Sequence, residues 1–416
     1  MQNIEHRVAV IGGGPAGLMA AETLAKGGAA VTLYERMPRV ARKLLLAGRG
    51  GLNLTHSEPI ARFLGRYREA EPGLRAAIEA FPPDALRAWC ESLGQETFVG
   101  SSGRVFPRVM KTSPLLRAWL ARLSGLGVEI RLGHRWTGWD NEGRLLFETA
   151  DGGVTTESAC TILALGGASW PRLGSDGSWV APLSERGVAV TPLMPANCGI
   201  CVDWSNVFKA RFAGSPLKRI AISCGDETAR GEALITATGL EGGAVYALSP
   251  AIRSEIASSG SARLMLDMRP DEREAGIAAR LAKPRGKASL ATHLRKALRL
   301  DPAAVGLLQE AALEANAPLS GLAPDAFARL VKSVPVRAHA LAPIDRAIST
   351  AGGVSFDEID ETFMLRRRPG TFVAGEMIDW EAPTGGYLLQ ASFATGRAAA
   401  EGALEFLKRI ARSDTF

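Results

Sequence analysis

Gly12, Gly14 and Gly17, in the stretch VAVIGGGPAGLMAAETL (residues 8–24), carry the G-x-G-x-x-G spacing of a turn that cradles a dinucleotide pyrophosphate. Each glycine has its own task in such a turn. Gly12 permits the tight bend, Gly14 lets the backbone approach the phosphates, and Gly17 lets the next helix pack close to the preceding strand. Pro15 and Ala16 open that helix, whose free N–H groups and positive dipole end face the anion. Glu35 follows Gly17 by 18 residues, where a ribose hydroxyl needs an acceptor. The stretch alone does not choose between FAD and NAD. Arg36 fits either a solvated side chain or the partner of a 2′-phosphate.

Other reactive residues are sparse. Cys198 and Cys201 form a CxxC pair that could pass electrons or bind metal. On a strand, residues three apart face opposite sides, so the expectation is two structural thiols. No second CxxC or nearby histidine pair completes a zinc site, and no metal is expected. The five histidines, at positions 6, 56, 134, 293 and 339, are scattered. His56 follows Asn53-Leu54-Thr55 and reads as a loop histidine without an identified acid–base partner. No nucleophile elbow, Walker A pattern or metalloprotease motif occurs. Between Arg280 and Arg299 stand seven lysines and arginines and no acid. That run reads as a solvated helical face, and the lack of interleaved aromatics there argues against a nucleic-acid partner.

The glycine fingerprint needs a strand–turn–helix–strand frame to position it. Val8, Val10 and Ile11 form the short apolar run of a buried parallel strand over Arg7–Ile11. An alanine-rich helix follows near Ala16–Lys26, then a second strand over Ala30–Tyr34. Strand, glycines, helix, strand and acid all fall in order, which favours a nucleotide site over an ordinary tight turn. A chain of 416 residues, 46% hydrophobic and 22% charged, can build two or three globular domains. Its 46 glycines exceed the usual share of about 7% and point to many turns and close backbone approaches. Five cysteines do not suggest a disulfide framework, and a reducing compartment fits better. The net charge of +6 is small for this length and does not by itself indicate an acidic partner. The apolar opening is broken by Gly12 to Pro15 and followed by Glu22 and Lys26, unlike a signal peptide. No run of 18 apolar residues suggests a membrane span, so the expected location is the cytoplasm.

Further segments follow the opening motif in a set order: RKLLLAGRGGLNLT (Arg42–Thr55), GRVFPRVMKTSPLL (Gly103–Leu116), TILALGGASWPRLGSDG (Thr161–Gly177), TAGGVSFDEID (Thr350–Asp360) and TFVAGEMIDWEAPTGGYLLQASFATG (Thr371–Gly396). Together, from residue 7 to about residue 405, they resemble the bacterial three-domain FAD flavoproteins of the aminoacetone-oxidase-like type. That family lies within the glutathione-reductase-like class. The resemblance implies FAD as cofactor, with Lys43, Gly50 and Asn53 near the pyrophosphate or flavin. It puts Trp136 where the family presents backbone to the adenine, and Ala164 and Gly166 on an internal strand approaching the cofactor. Gly375, Glu376 and Asp379 follow a short strand, and an acid there bonds the ribityl or pyrophosphate region. Gly385, Gly386, Tyr387, Leu388 and Leu389 begin a helix expected over residues 387–409. Its N-terminus would face the flavin edge where negative charge gathers on reduction. Two departures stand out: Gly50-Gly51-Leu52-Asn53 replaces the family's Gly-Arg-Cys-Asn, and Leu388 replaces its asparagine after Gly-Gly-Tyr.

The expected fold class is α/β. A doubly wound, Rossmann-like FAD domain would be discontinuous, over residues 1–191 and 346–416. Strand-like runs over 192–270 and 331–345 would form an inserted β-rich domain, and helical spacing over 271–330 a helical subdomain. The expected function is an FAD-dependent oxidoreductase acting through the flavin N5 on a small organic substrate, by amine oxidation or by reduction of an activated double bond. The alternatives are a flavin-dependent RNA-modifying protein and a flavin-binding module whose insertion docks a partner. No second G-x-G-x-x-G occurs, so either oxygen or NAD(P)H can be the electron partner.

Overall fold

The computed structural model describes residues 7–413. It divides into two compact units, one built from residues up to Met194 and from Ser349 onward, the other from Pro195–Ile348.

The first unit is organised around a five-stranded sheet. Its elements are β1 (Arg7–Ile11), α1 (Pro15–Lys26), β2 (Ala30–Glu35), α2 (Arg42–Ala47), β3 (Glu129–Leu132), β4 (Cys160–Leu163), β5 (Thr371–Val373) and α3 (Tyr387–Ser413). The strand order is β5-β4-β1-β2-β3, with every pair parallel. Parallel strands with covered faces need continuous apolar runs rather than alternation. Val8, Val10, Ile162, Leu163, Phe372 and Val373 are accordingly all buried. The strand order places β1 in the middle, so the turn leaving its C-terminal end opens at the sheet edge where doubly wound folds bind ligands.

Small residues bring α1 and α3 into close packing. A Cβ on Gly396 would come within 2.3 Å of the Ala16 carbonyl oxygen, and one on Gly27 within 2.4 Å of Leu404. The buried Glu22 of α1 accepts hydrogen bonds from the indole N–H groups of Trp89 (3.1 Å) and Trp119 (2.7 Å) and pairs with Lys26 and Arg122. A buried carboxylate is tolerated because its lone pairs are satisfied in this way. The unit also holds two three-stranded antiparallel sheets, one of Thr55–His56, Thr97–Val99 and Arg104–Pro107, the other of Arg135–Trp139, Leu145–Thr149 and Gly152–Thr156.

The second unit is a seven-stranded antiparallel sheet with helices around it. The strands Val334–Ala338 and Ala340–Leu341 stand at opposite ends of the strand order yet are one residue apart in the chain. The first pairs with Ala262–Asp267 and the second with Ile200–Cys201, so the sheet closes on itself into a barrel. The run Thr191–Met268, expected as strands, is interrupted by helices at Asn206–Phe212, Gly243–Tyr246 and Ser249–Ser259. The helices Glu274–Leu281, Leu290–Leu298, Pro302–Glu314 and Pro324–Lys332 supply Ile277, Leu294, Leu298, Leu307, Leu308, Phe327 and Val331 to the same apolar core as the barrel residues Ile222, Ile235, Leu264 and Val336. Helices and barrel thus bury their faces against one another, without a separate helical core.

Candidate functional site

A cleft opens where β1, β2 and β4 end, within the first unit. Its floor is the glycine turn. Gly12 has φ +109°, a left-handed conformation, and a Cβ there would lie 2.2 Å from the Ala164 carbonyl oxygen. A Cβ on Gly17 would sit 1.9 Å from the Gly12 oxygen, so both glycines are required by packing alone. Gly14 differs: its φ is −83°, and a Cβ would meet nothing within 4 Å. Gly14 leaves open space above the N-terminus of α1. That end has Pro15 in its first turn and no side-chain cap, so its N–H groups remain available to an anion.

Glu35 ends β2 and lines the cleft. Its carboxylate accepts from the N–H groups of Gly13 and Met37, both at 2.8 Å. Burial pushes its carboxyl above the usual range, against those two hydrogen bonds. Arg36 is not free: it pairs with Asp176 and donates to the Pro171 carbonyl at 3.1 Å. The 2′-phosphate alternative therefore meets an arginine already engaged by an acid. Lys43, in the first turn of α2, donates to Ser169 Oγ and to Glu376, both at 2.7 Å. The other oxygen of Glu376 accepts from the Thr350 N–H at 3.0 Å. With Arg39, Arg42 and Arg135, the cleft carries five cationic side chains against Glu35, Asp176 and Glu376, and the helix dipole adds to the positive side.

Of the residues singled out from sequence, Gly12, Gly14, Pro15, Ala16, Glu35, Arg36, Lys43, Trp136, Ala164, Gly166, Gly375 and Glu376 all line this cleft. Gly17 lies beneath it, between the α1 backbone and β1. Asp379 does not line it; its side chain accepts from the Thr191 hydroxyl at 2.6 Å. The acid facing the cleft after β5 is Glu376, because the 3-10 turn Gly375–Met377 swings the chain away before residue 379. Gly50, Asn53, Gly385, Gly386, Tyr387, Leu388 and Leu389 also lie outside its lining. The Asn53 amide donates to the carbonyls of Thr55 (2.9 Å) and Val105 (3.2 Å). Gly386, at φ +100°, lies against the Thr55 backbone, 2.5 Å from where its Cβ would stand. Leu388 and Leu389 are half-buried against the core of the unit, and Gly50 is exposed.

A second cluster surrounds the start of α3. The Tyr387 hydroxyl donates to Glu58 at 2.6 Å, the Tyr67 hydroxyl donates to the Tyr387 carbonyl at 2.8 Å, and Arg66 chelates Glu58 at 2.8 and 3.0 Å. Burial and the Glu58 carboxylate hold the Tyr387 phenol well above its ordinary value, so it stays protonated. His56 stacks on Tyr387 with ring centroids 5.5 Å apart. The Glu58 N–H donates to its Nδ1 and its Nε2 faces the Ser102 carbonyl, so both ring nitrogens are engaged. Neither of the two interactions serves a reacting group.

Sequence reasoning missed Tyr34, His134, Ser175, Trp179 and Ser392, all of which line the cleft. Trp179 donates to the Gly166 carbonyl at 2.8 Å and holds the loop after β4 over the site. Ser175 and Ser392 lie inside segments quoted above for their likeness to flavoproteins, so both were within reach of sequence reasoning; Tyr34 and His134 carried no such signal.

Cys198 is buried and Cys201 partly buried, and all five cysteines are unbridged thiols. The Cys201 thiol faces the Leu341 carbonyl at 3.8 Å, and burial raises it above its usual range. Among the described residues no group of three or more His, Cys, Asp or Glu could hold a metal ion, and no helix is long and apolar enough to cross a membrane. The basic run from Arg280 to Arg299 is split between two helices and the loop between them, and Arg280 pairs with Glu272.

A parallel sheet with a glycine turn, an uncapped helix N-terminus and an acid closing β2 defines a Rossmann-type dinucleotide-binding protein. The glycines with no room for a side chain, the open space at Gly14 and the excess of cations fit FAD. The chain belongs to the family described as HI0933-like protein Rossmann domain, whose model matches residues 6–402. A protein of Clostridium scindens named 3-dehydro-bile acid delta(4,6)-reductase is 27% identical over 411 residues, covering 96% of this chain and 99% of that one. Two solved structures share the fold. One is the open conformation of a flavocytochrome c3 fumarate reductase, with TM-score 0.52 and 17% identity over 97% of this chain and 78% of that one. The other is 3-ketosteroid delta1-dehydrogenase from Sterolibacterium denitrificans, with TM-score 0.52 and 14% identity over 96% and 100%.

Proposed function

We propose that the protein reduces an activated carbon–carbon double bond of a small organic substrate. The observation that carries this reading is the similarity to a reductase over nearly the full length of both chains. Bound FAD supplies two-electron transfer through its N5. The chain's own residues bind and orient it. Gly12, Gly14, Pro15, Ala16 and Gly17 hold the pyrophosphate against the α1 N-terminus, and Glu35 accepts from the adenosine ribose. Lys43 and Glu376 form one wall of the cleft as a fixed ion pair. Tyr387, at the start of α3 and outside the cleft lining, is held in place by Glu58 and Tyr67. Amine oxidation is the competing chemistry, and oxygen and NAD(P)H are the candidate electron partners.

Anaerobic photoreduction of the FAD-loaded protein separates these. The reduced flavin should be reoxidised faster by an α,β-unsaturated ketone than by oxygen. Bleaching of the oxidised flavin by a primary amine, with no reoxidation by the unsaturated ketone, would overturn the reading.

A further inference from the structure

The sheet of Thr55–His56, Arg104–Pro107 and Thr97–Val99 has two unlike faces. Residues directly opposite one another on paired strands share a face, and neighbours along a strand alternate. Thr55, Thr97, Val105 and Pro107 are buried on one face. The other carries Phe98 opposite Phe106 and His56 opposite Arg104. Phe98 and Phe106 stack with centroids 5.8 Å apart and are only half-buried. Met110 extends this apolar strip. A Cβ on Gly51 would stand 2.7 Å from Met110 Cε and 3.8 Å from the Phe106 ring, so the two side chains meet over that glycine. Met110 is 39% exposed and held at φ +53°, a conformation that side chains rarely adopt. Strained residues of this kind cluster at ligand contacts.

Arg104 ends the strip. Its side chain is exposed and, among the described residues, has no hydrogen bond or ion pair. Its Nε lies 3.9 Å from where a Cβ on Gly385 would stand. His56 beside it has both ring nitrogens engaged, so the guanidinium is the polar group left for a ligand. Glu58, two residues on from His56, is taken by Arg66 and Tyr387, and from Thr97 to Val128 the sequence has no acid. The two glycines also continue elements that line the cofactor cleft. The helix α2 supplies Arg42, Lys43 and Leu44 to that lining and leads on to Gly51, and α3 supplies Ser392, seven residues after Gly385. The charge is complementary to a carboxylate, and the strip to a flat hydrocarbon. We propose that this face binds the substrate as a small, flat, apolar acid, with its carboxylate on Arg104 and its carbon skeleton on Phe98, Phe106 and Met110. The inference rests on the proposed reduction of an activated double bond, whose substrate class it names.

Calorimetric titration of the FAD-loaded full-length protein tests this with cinnamate, 2-naphthoate and biphenylacrylate, each beside its primary amide. The wild type should bind at least one acid about ten-fold more tightly than its amide, the scale of a hydrogen bond to a charged group. Arg104→Gln should remove that preference, and Arg104→Lys should keep part of it. Met110→Ala should weaken acid and amide alike. Arg104 and Met110 are exposed, so these replacements leave the core intact, and flavin content should not change. If the wild type binds none of the acids, binds acid and amide equally, or keeps the preference after Arg104→Gln, the inference is overturned. Reoxidation of the photoreduced flavin by an unsaturated ketone, without acid binding, would overturn this subsite alone. Acid binding through Arg104, with no reoxidation by the ketone, would overturn the reductase reading alone.

Discussion

Glu58 accepts two hydrogen bonds from Arg66 and one from Tyr387. The Arg66 bonds are the largest cause holding its carboxyl below the ordinary value of 4.5. A carboxyl depressed in the folded state stabilises the fold above its unfolded value. That stabilisation is lost as pH falls from 4.5 through the depressed value. Glu58→Gln should therefore lower stability near neutral pH and make it less sensitive to acid below about pH 4.5. Urea midpoints between about pH 6 and 3 measure this, and parallel pH profiles for both proteins would show that the carboxylate is not coupled to folding. The same residues anchor the start of α3, so a loss here loosens the element as well as the pair.

At the scale of elements, the β1–α1 turn separates glycines required by packing from a glycine open to ligand. Gly17→Ala places a methyl 1.9 Å from the Gly12 oxygen and should abolish or strongly weaken folding. Gly14→Ala has an ordinary φ and open space, so the chain should fold with near-normal stability while FAD affinity falls. Circular dichroism and flavin content read the two effects separately. Normal flavin content in Gly14→Ala would mean that the phosphates do not approach this turn. This part of the site was legible because every component lies within one run from Arg7 to Glu35. The opposite wall was less so. Whether Glu376 or Asp379 faces the cleft depends on one 3-10 turn, and three residues' difference carries no periodic signal. Trp179 and His134 reach the cleft through loop paths that local pattern does not encode. Asn53 and Gly386 have contacts set by pairing between Thr55–His56 and Arg104–Pro107, again distant in sequence.

At the scale of the whole molecule, each unit buries a core of its own. Strand and helix character in the insertion were partly readable, but closure into a barrel was not. Closure depends on the segment Val334–Leu341 pairing with two strands at once, a relation between distant residues. The cores also hide the thiols. Burial pushes Cys90, Cys160 and Cys224 up to about 12, Cys224 also through its contact with Glu255. At pH 8 they are protonated as well as buried, so they lack the thiolate that reacts. Alkylation of the native protein, mapped by peptide mass, should leave all three unmodified, and labelling should become complete only in denaturant. Rapid modification of Cys90 or Cys160 in the native state would contradict the packing of the first unit.

The discontinuity of the flavoprotein unit has a consequence for synthesis. β5, the Gly375–Glu376 wall and Ser392 all follow the residues of the insertion in the chain. At ~5–20 residues per second, the roughly 150 residues of Pro195–Ile348 take about 8–30 s to emerge from a ribosome. During that interval β4 exposes an unpaired edge and the cofactor cleft lacks one side. The nascent chain therefore waits with its first half unsealed, a window in which chaperone protection matters most.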